Sequence, residues 1–456
     1  MDWDTIVVGA GQTGSPLAAR LAEHGRRVLL VEREHVGGTC VNYGCTPTKT
    51  MVASARAAHV ARGARRLGVN AGPVIVDFPA IVARKDAIVE QWRAGAERRL
   101  ERAGANLTLV HGHGRFVAER TIEVDGERHR APVVVLDVGA RAAAPPLPGL
   151  DGVSWLDNAR ILQLRELPAH LVVLGGGFIG CEFAQMFRRF GSEVTVIDAA
   201  PHLLAREDPE VSAVLEDVFR AEGIALELAT RPQQVHRTAA GIALRLEDGR
   251  EVSGSYLLVA TGRRPNTDDL GCDAGGVRLD GRGYIVVDDR YRTSAQGVYA
   301  AGDVTGGPQF THTAWDDHRL LFDLLVGSGT RGRSGRVIPS AVFTDPQVGR
   351  VGLSEREARE QGVTCEAATL PFGQVARAVE VDEPAGIMKV LVDPGSERIL
   401  GAAIVGAEAG ELIHVFAVLM QAGASARTIV DGEFAHPTFA EGLQTLVMQL
   451  ERYRLS

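Results

Sequence analysis

A glycine-rich unit of strand, turn and helix occurs twice in this 456-residue chain, and it constrains the fold more than any other feature. The first copy opens with an apolar run from Thr5 to Val8 and continues into GxGxxG and a segment that can form a helix. The three glycines are Gly9, Gly11 and Gly14. They permit a tight turn at which a pyrophosphate approaches the helix N-terminus. A second apolar run, Val28 to Val31, ends in Glu32, which is placed to accept a hydrogen bond from a ribose hydroxyl.

The second copy repeats this order in the middle of the chain. The run from Leu171 to Leu174 precedes the turn, and the strand from Glu193 to Ile197 ends in Asp198. The glycines of this turn are Gly175, Gly177 and Gly180. A carboxylate at Asp198 would bind the ribose of NADH and repel a 2′-phosphate, so NADH is favoured, while Arg206 keeps NADPH open. A chain with two such units can bind a donor and an acceptor cofactor together.

A cysteine pair, Cys40 and Cys45, follows the first unit, with four residues between the two thiols. Residues five apart in an ideal helix lie about 8.6 Å from each other, whereas a disulfide needs Cα atoms within about 7 Å. The pair therefore cannot lie inside one regular helix. Thr46 suits a helix N-cap and Pro47 the first helical position, which puts Cys45 at a helix N-terminus that favours a thiolate and Cys40 in the preceding loop.

Composition narrows the class of protein. Hydrophobic residues make up 45% of the chain, charged residues 23%, and the formal net charge is −8, as in a soluble globular protein of several domains. The sequence has no basic patch that would indicate nucleic-acid binding. Its apolar stretches are all shorter than the roughly 18 residues of a membrane span. A strand that begins at Thr5 leaves no room for a signal peptide, so we expect a cytoplasmic protein, in which a close cysteine pair is catalytic. The other cysteines, Cys181, Cys272 and Cys365, lack metal-ligand spacing and are expected to be buried; no metal site is expected.

Three later motifs complete a recognisable order. ATGRRPN contains Gly262, AAGDV contains Gly302 and Asp303, and HPTFAE contains His436 and Glu441. These motifs follow the glycine fingerprint, CVNxGCxPTK and GGGxIGxE along the chain. Their order, from Asp4 to about Leu443, resembles that of the pyridine nucleotide-disulfide oxidoreductases. The resemblance implies an α/β fold with two Rossmann-like domains, for FAD and NAD(P), and an α+β C-terminal dimerisation domain.

The resemblance also implies the division of the chain and its assembly. We expect a FAD-binding domain with the redox cysteines at 1–148, a NAD(P)-binding domain at 149–270, a central segment returning to FAD at 271–335 and a dimerisation domain at 336–456. Members of the family are similar in working as homodimers with shared active sites.

The resemblance assigns roles to particular side chains. Cys40 would be the exposed interchange thiol and Cys45 the thiol that faces the flavin. His436, oriented by Glu441, would be the acid and base that acts on Cys40 of the partner subunit.

Further residues are implied at the cofactors. Lys49 and Glu182 look like the family's pair beside the isoalloxazine, where a cation stabilises developing negative charge. The cofactor-binding residues implied are Gly9, Gly11, Gly14, Glu32, Gly38, Thr39, Lys49, Gly114, Gly139, Gly302, Asp303, Gly175, Gly177, Gly180, Asp198 and Gly262.

The sequence favours reduction of a small-molecule or protein disulfide. The cysteine region looks most like mercuric reductases, which end in a vicinal cysteine pair and carry tyrosine at the position of His436; here the last five residues are RYRLS. Hg(II) reduction is one alternative. A dihydrolipoamide dehydrogenase subunit of a multienzyme complex is another, although that family usually has isoleucine at Thr46. A non-enzymatic redox-sensing flavoprotein is the third.

Overall fold

The computed structural model describes residues 3–453. The helices are α1 Gly14–Glu23, α2 Gly38–Tyr43, α3 Cys45–Gly63, α4 Phe78–Arg102, α5 Phe178–Phe190, α6 Pro209–Ala221, α7 Thr311–Val326, α8 Glu355–Glu360, α9 Ala376–Glu380, α10 Ala409–Ala422, α11 Arg427–Val430 and α12 Glu441–Val447. The strands are β1 Thr5–Val8, β2 Val28–Glu32, β3 Leu107–His111, β4 Arg115–Ala118, β5 Thr121–Val124, β6 Glu127–Arg130, β7 Val133–Leu136, β8 Ala140–Ala142, β9 Trp155–Leu156, β10 His170–Leu174, β11 Glu193–Ile197, β12 Ala225–Glu227, β13 Pro232–Thr238, β14 Gly241–Leu246, β15 Glu251–Gly254, β16 Tyr256–Val259, β17 Arg263–Pro265, β18 Val298–Ala300, β19 Ser340–Val342, β20 Gln347–Gly352, β21 Glu366–Pro371, β22 Ile387–Val392 and β23 Ile399–Gly406.

The chain forms two compact units. The first takes in Met1–Thr50, Val82–Ala143 and Gly262–Gly335, and the second takes in Met51–Ile81, Ala144–Thr261 and Arg336–Ser456.

The first unit is built on a five-stranded parallel sheet in the order β18-β7-β1-β2-β3. Both faces of this sheet are buried. Ile6 and Val8 of β1 pack into one hydrophobic cluster, and the intervening Val7 packs into another with Leu17 of α1. Since consecutive side chains of a strand point to opposite faces, this pattern explains why Ile6, Val7 and Val8 of β1 are all apolar.

The second unit holds two larger sheets. One is parallel, in the order β12-β11-β10-β16-β9, and the other is antiparallel, in the order β19-β20-β23-β22-β21. The antiparallel sheet shares a core with α10 and α12, where Phe372, Phe416 and Leu446 are fully buried. The two parallel sheets and the separate antiparallel one confirm the predicted fold class.

Local expectations need three corrections. Cys40 lies on the short helix α2 and not in a loop, and α3 begins at Cys45, before the expected cap at Thr46. Gly44 separates the two helices, so the pair indeed lies outside any single helix. Cys181 and Cys272 are buried as expected, whereas Cys365 is only half-buried. Within residues 3–453, no helix has the length and apolarity that a membrane crossing requires.

Candidate active site

The two glycine-rich turns have nearly the same geometry. A Cβ atom at Gly14 would lie 1.9 Å from the carbonyl oxygen of Gly9, and one at Gly180 would lie 1.8 Å from that of Gly175. Gly9 and Gly175 both have a positive φ, 100° and 114°. Only glycine allows the helix to begin so close to the strand end, as a turn that receives a pyrophosphate requires.

An acidic residue lies beside each turn. The carboxylate of Glu32 accepts a hydrogen bond from the amide of Ala10 at 2.7 Å. The carboxylate of Asp198 accepts from the amides of Gly176 at 2.5 Å and Ala200 at 2.7 Å. Both acids therefore lie at the end of the second strand and against the turn, where the ribose of a dinucleotide is held.

Other predicted flavin-site residues gather at the carboxyl end of the parallel sheet of the first unit. A Cβ atom at Gly38 would lie 2.8 Å from the Cα of Gly11, so the two loops pack backbone against backbone. Asp303 follows β18 and accepts from the Arg263 guanidinium at 3.1 Å. Burial raises the pKa of the Asp303 carboxyl, while Arg263 acts in the opposite direction. Doubly wound sheets bind ligands at this edge, and the glycine turn, Glu32 and this cluster fit FAD.

The remaining predicted glycines are more dispersed. Gly114 is buried under the sheet, where a Cβ atom would meet the side chain of Val31 at 3.1 Å. Gly139 has a φ of 68° and its carbonyl accepts from the amide of Asn266. Gly177 is open, since a Cβ atom there would have no heavy atom within 4 Å. Gly262 belongs to the first unit, whereas the second glycine turn belongs to the second unit.

The two cysteines lie on either side of the break between α2 and α3. Gly44 separates the two helices, and Thr39 and Cys40 lie on the first of them. The Sγ of Cys45 lies 3.2 Å from the Oγ1 of Thr311. A hydrogen bond with Cys45, together with burial, raises the pKa of Cys40, and a hydrogen bond with Thr311 lowers it. A base is therefore needed before Cys40 can react as a thiolate.

The two thiols differ in exposure. Cys45 is exposed and Cys40 is half-buried, and the assignment of Cys45 to the flavin and Cys40 to the substrate stays a prediction. Cys40 is covered because it lies on α2 with its thiol against that of Cys45, which contributes to its raised pKa.

His436 and Glu441 form a pair in the second unit. The Nδ1 of His436 lies 2.8 Å from the Oε2 of Glu441, and the histidine side chain is 70% exposed. Glu441 is fixed at the start of α12, where its amide donates to the hydroxyl of Thr438. A carboxylate at Nδ1 selects the tautomer that turns the Nε2 lone pair toward solvent, as a proton-transferring imidazole requires.

Lys49 and Glu182 belong to different compact units. Lys49 is half-buried on α3 in the first unit. Glu182 is 4% exposed on α5 in the second unit, and its carboxylate accepts from the amide of Phe343 at 2.8 Å. Their joint role at a flavin stays a prediction.

Two residues of the first unit were missed by the sequence reasoning. Thr311, the first residue of α7, contacts Cys45 from 266 positions away, and no local pattern links the two. Asp137 follows β7 and binds the first glycine turn. An acidic residue directly after the apolar run VVVL was the available signal for a buried carboxylate with a specific partner.

Comparison with known proteins agrees with this geometry. Residues 3–317 match the family described as pyridine nucleotide-disulphide oxidoreductase, and residues 338–447 match its dimerisation domain. The chain is 34% identical to a probable pyridine nucleotide-disulfide oxidoreductase, RclA, of Escherichia coli, over 97% of this chain and 98% of that protein. It is 36% identical to a mercuric reductase of Streptomyces lividans, over 97% and 95%. It is 35% identical to a dihydrolipoyl dehydrogenase of Thermus scotoductus, over 99% and 98%.

A solved structure shares the same architecture. The HOCl-induced flavoprotein disulfide reductase RclA of Escherichia coli superposes with a TM-score of 0.90 and 33% identity, over 98% of this chain and 99% of that one. The family match, the two dinucleotide turns and the cysteine pair agree with one another. The family uses FAD and a pyridine nucleotide, and the dimerisation domain supports a homodimer. The chain therefore belongs to the pyridine nucleotide-disulfide oxidoreductase family, as a flavoprotein disulfide oxidoreductase.

Proposed function

We propose that this enzyme reduces an organic or protein disulfide with electrons from NADH. The pair of His436 and Glu441, 2.8 Å apart, is the observation that carries the proposal. Disulfide exchange needs a base for the attacking thiol and an acid for the departing one, and an imidazole can be both. Transfer of a soft metal ion between thiolates needs no such group.

The cysteines perform the exchange in two balanced steps. The Cys40 thiolate attacks the substrate disulfide, forming one sulfur–sulfur bond and breaking another, and His436 gives a proton to the departing thiolate. The Cys45 thiolate then attacks the Cys40 sulfur of the mixed disulfide, which breaks the bond to the substrate and leaves a disulfide between the two cysteines. The second half of the substrate departs as a thiolate and takes a proton from water. FAD, when bound, supplies the two-electron relay that returns this disulfide to two thiols.

The raised pKa of Cys40 makes the base essential. Hydrogen bonding to Cys45 and burial both favour the neutral Cys40 thiol. We place His436 of the partner subunit at this thiol, with each homodimer holding two shared sites. The same proposal includes the division of the chain into a FAD-binding domain at 1–148, a NAD(P)-binding domain at 149–270, a central segment at 271–335 and a dimerisation domain at 336–456. We infer a cytoplasmic location, because a reducing compartment suits a catalytic cysteine pair.

NADH is the proposed electron donor because of Asp198. Its carboxylate is held against the second glycine turn by the amides of Gly176 and Ala200. A carboxylate there accepts from a ribose hydroxyl and repels a 2′-phosphate. Arg206, exposed on the following segment, supports NADPH as the alternative.

Reduction of a soft metal ion is the second candidate. Mercuric reductases are among the relatives, and a Cu(II) complex of Escherichia coli RclA is among the similar solved structures. Two adjacent thiols suit soft metals. The RYRLS segment spans residues 452–456, and its last three residues lie outside the described residues.

A turnover panel on the full-length FAD-loaded protein separates these candidates. Glutathione disulfide, coenzyme A disulfide, lipoamide, an aromatic disulfide, Hg(II) and Cu(II) are each assayed with NADH and with NADPH. We expect the highest kcat/KM with a disulfide and NADH, lost in Cys40→Ser and kept in Cys365→Ser, which removes a half-buried thiol that lies outside the pair. Turnover of metal ions alone would establish the second candidate, lipoamide alone would point to the dihydrolipoyl dehydrogenase role, and preference for NADPH would reverse the assignment from Asp198.

A further inference from the structure

A carboxylate of the protein itself occupies the interior side of the first glycine turn. Asp137, 8% exposed at the end of β7, accepts from the amide of Gly14 at 2.7 Å and from that of Thr13 at 3.2 Å. The same oxygen would lie 2.7 Å from a Cβ atom at Gly11, so it is directly beneath the turn. These amides belong to the N-terminus of α1, which attracts anions.

The other side of the turn is partly exposed. Gly11 and Gln12 are partly exposed, whereas Thr13 and Gly14 are buried. A pyrophosphate would therefore approach the turn from the side of Gly11 and Gln12, with Asp137 on the interior side. Two anionic groups would then share one helix N-terminus, which is unfavourable unless one of them is neutral.

The surrounding charges make Asp137 the group that becomes neutral. Burial raises the pKa of Asp137 well above its usual range, and the nearby carboxylates of Asp303 and Asp317 raise it further. The hydrogen bonds from the two amides lower it but do not offset these effects. Arg263 is the cation at this cluster, and it pairs with Asp303 at 3.1 Å. Asp317 accepts from the hydroxyl of Tyr291 at 2.7 Å. An added dianion would thus meet a group in which the carboxylates of Asp303 and Asp317 act on Asp137 and the Arg263 guanidinium is already paired with Asp303.

We propose that Asp137 makes FAD binding proton-linked: the glycine turn accepts the pyrophosphate when the Asp137 carboxyl is protonated, and at higher pH the binding of FAD is coupled to the uptake of a proton from solvent by this carboxyl. The carboxyl then still accepts from the two amides through one oxygen but no longer repels the phosphates. The inference rests on the proposed placement of FAD at this turn.

The test measures binding and not turnover. Full-length protein depleted of FAD is titrated with FAD between pH 6 and pH 9.5, following the flavin fluorescence, and protons are counted by calorimetry in two buffers of different ionisation heat. We expect Kd to rise by up to about tenfold per pH unit above the pKa of Asp137, with up to about one proton taken up per FAD. Asp137→Asn keeps an oxygen for the amides, so its Kd should vary less than about twofold over the same range, with no proton uptake.

Two controls separate the possible failures. Asp4→Asn, a partly exposed carboxylate that pairs with Arg27, should keep the pH dependence of the unaltered protein. Two results would overturn only the role of Asp137. One is that FAD binds Asp137→Asn with the pH profile of the unaltered protein. The other is that FAD binding to the unaltered protein takes up no proton at any pH. If Glu32→Ala leaves FAD affinity unchanged, the placement of FAD at this turn is wrong, and the inference falls with it.

Discussion

The thiol of Cys45 lies 3.2 Å from the hydroxyl of Thr311, so the N-terminus of α7 meets the N-terminus of α3 at the redox pair. A hydroxyl can donate to a thiolate and accept from a thiol. The same hydroxyl lowers the pKa of Cys40. Thr311 therefore favours the reactive, ionised form of the reduced pair without being a nucleophile itself.

Thr311→Val should slow alkylation of the reduced pair by iodoacetamide at neutral pH by about tenfold, since a hydrogen bond to a charged group is worth about 1.5 kcal/mol or more. Rates mapped to each cysteine by mass spectrometry, over a range of pH, check this. Thr313→Val is the matched control, because the buried Thr313 hydroxyl finds no hydrogen-bond partner among the described residues. Equal slowing in both variants would show that Thr311 acts only through the helix.

The proposed sharing of active sites between the two subunits predicts complementation between two inactive variants. Cys40→Ser and His436→Ala homodimers should each lose disulfide turnover, and random mixing of their subunits should restore about a quarter of the activity, because half of the dimers then hold one intact site. Refolding the two variants together and assaying turnover tests this. Recovery no greater than that of either variant alone would show that His436 does not act across the dimer.

A buried lysine holds together a cluster of acids in the second unit. The Nζ of Lys389, whose side chain is 3% exposed, contacts Asp208 at 2.9 Å, Glu355 at 2.7 Å and also Glu210. The amine lowers the pKa of Asp208.

Lys389→Met should lower the free energy of unfolding by about 3 kcal/mol, because it leaves the buried Asp208 carboxylate without its cation. The loss should be smaller at pH 5 than at pH 8, since protonation relieves the repulsion. Urea denaturation at the two pH values measures it. Arg359→Met is the control, because Arg359 is 77% exposed and contacts the same Glu355, so that its removal should cost less than about 1 kcal/mol.

His318 predicts a loss of stability in acid. Burial lowers the pKa of His318 to about 4, whereas its ordinary value is 6.5. Between those values the unfolded chain binds a proton that the folded chain does not, so stability falls as pH decreases from 6.5 to 4. His318→Leu should remove this component, so that between pH 6.5 and pH 5 the variant loses about 1.5 kcal/mol less than the unaltered protein. Denaturation curves at both pH values check the difference, and His236→Gln, on an exposed ring, should behave like the unaltered protein.

Local patterns in the sequence were enough for the elements that carry the site. The predicted bounds Thr5–Val8 and Glu193–Ile197 are those of the strands, because each is a buried run ended by a turn or an acidic residue. The cysteine spacing excluded a single helix, and Gly44 is where the helices separate. The same reasoning was wrong about Cys40, since a six-residue helix between two glycines has no strong signal of its own.

The sequence by itself determined the two dinucleotide turns, the cysteine pair and the motif that holds His436, because each depends on residues within a few positions of one another, and the order of these motifs along the chain determined the family. The tertiary structure alone decided that the Thr311 hydroxyl contacts the Cys45 thiol and that Asp137 binds the first glycine turn from 123 residues away. It also decided that the Lys389 amine contacts three carboxylates. Such contacts follow from the order of strands in a sheet and from the packing of helices on it. Strand order brings β7 beside β1, and no local pattern of residues reports that pairing.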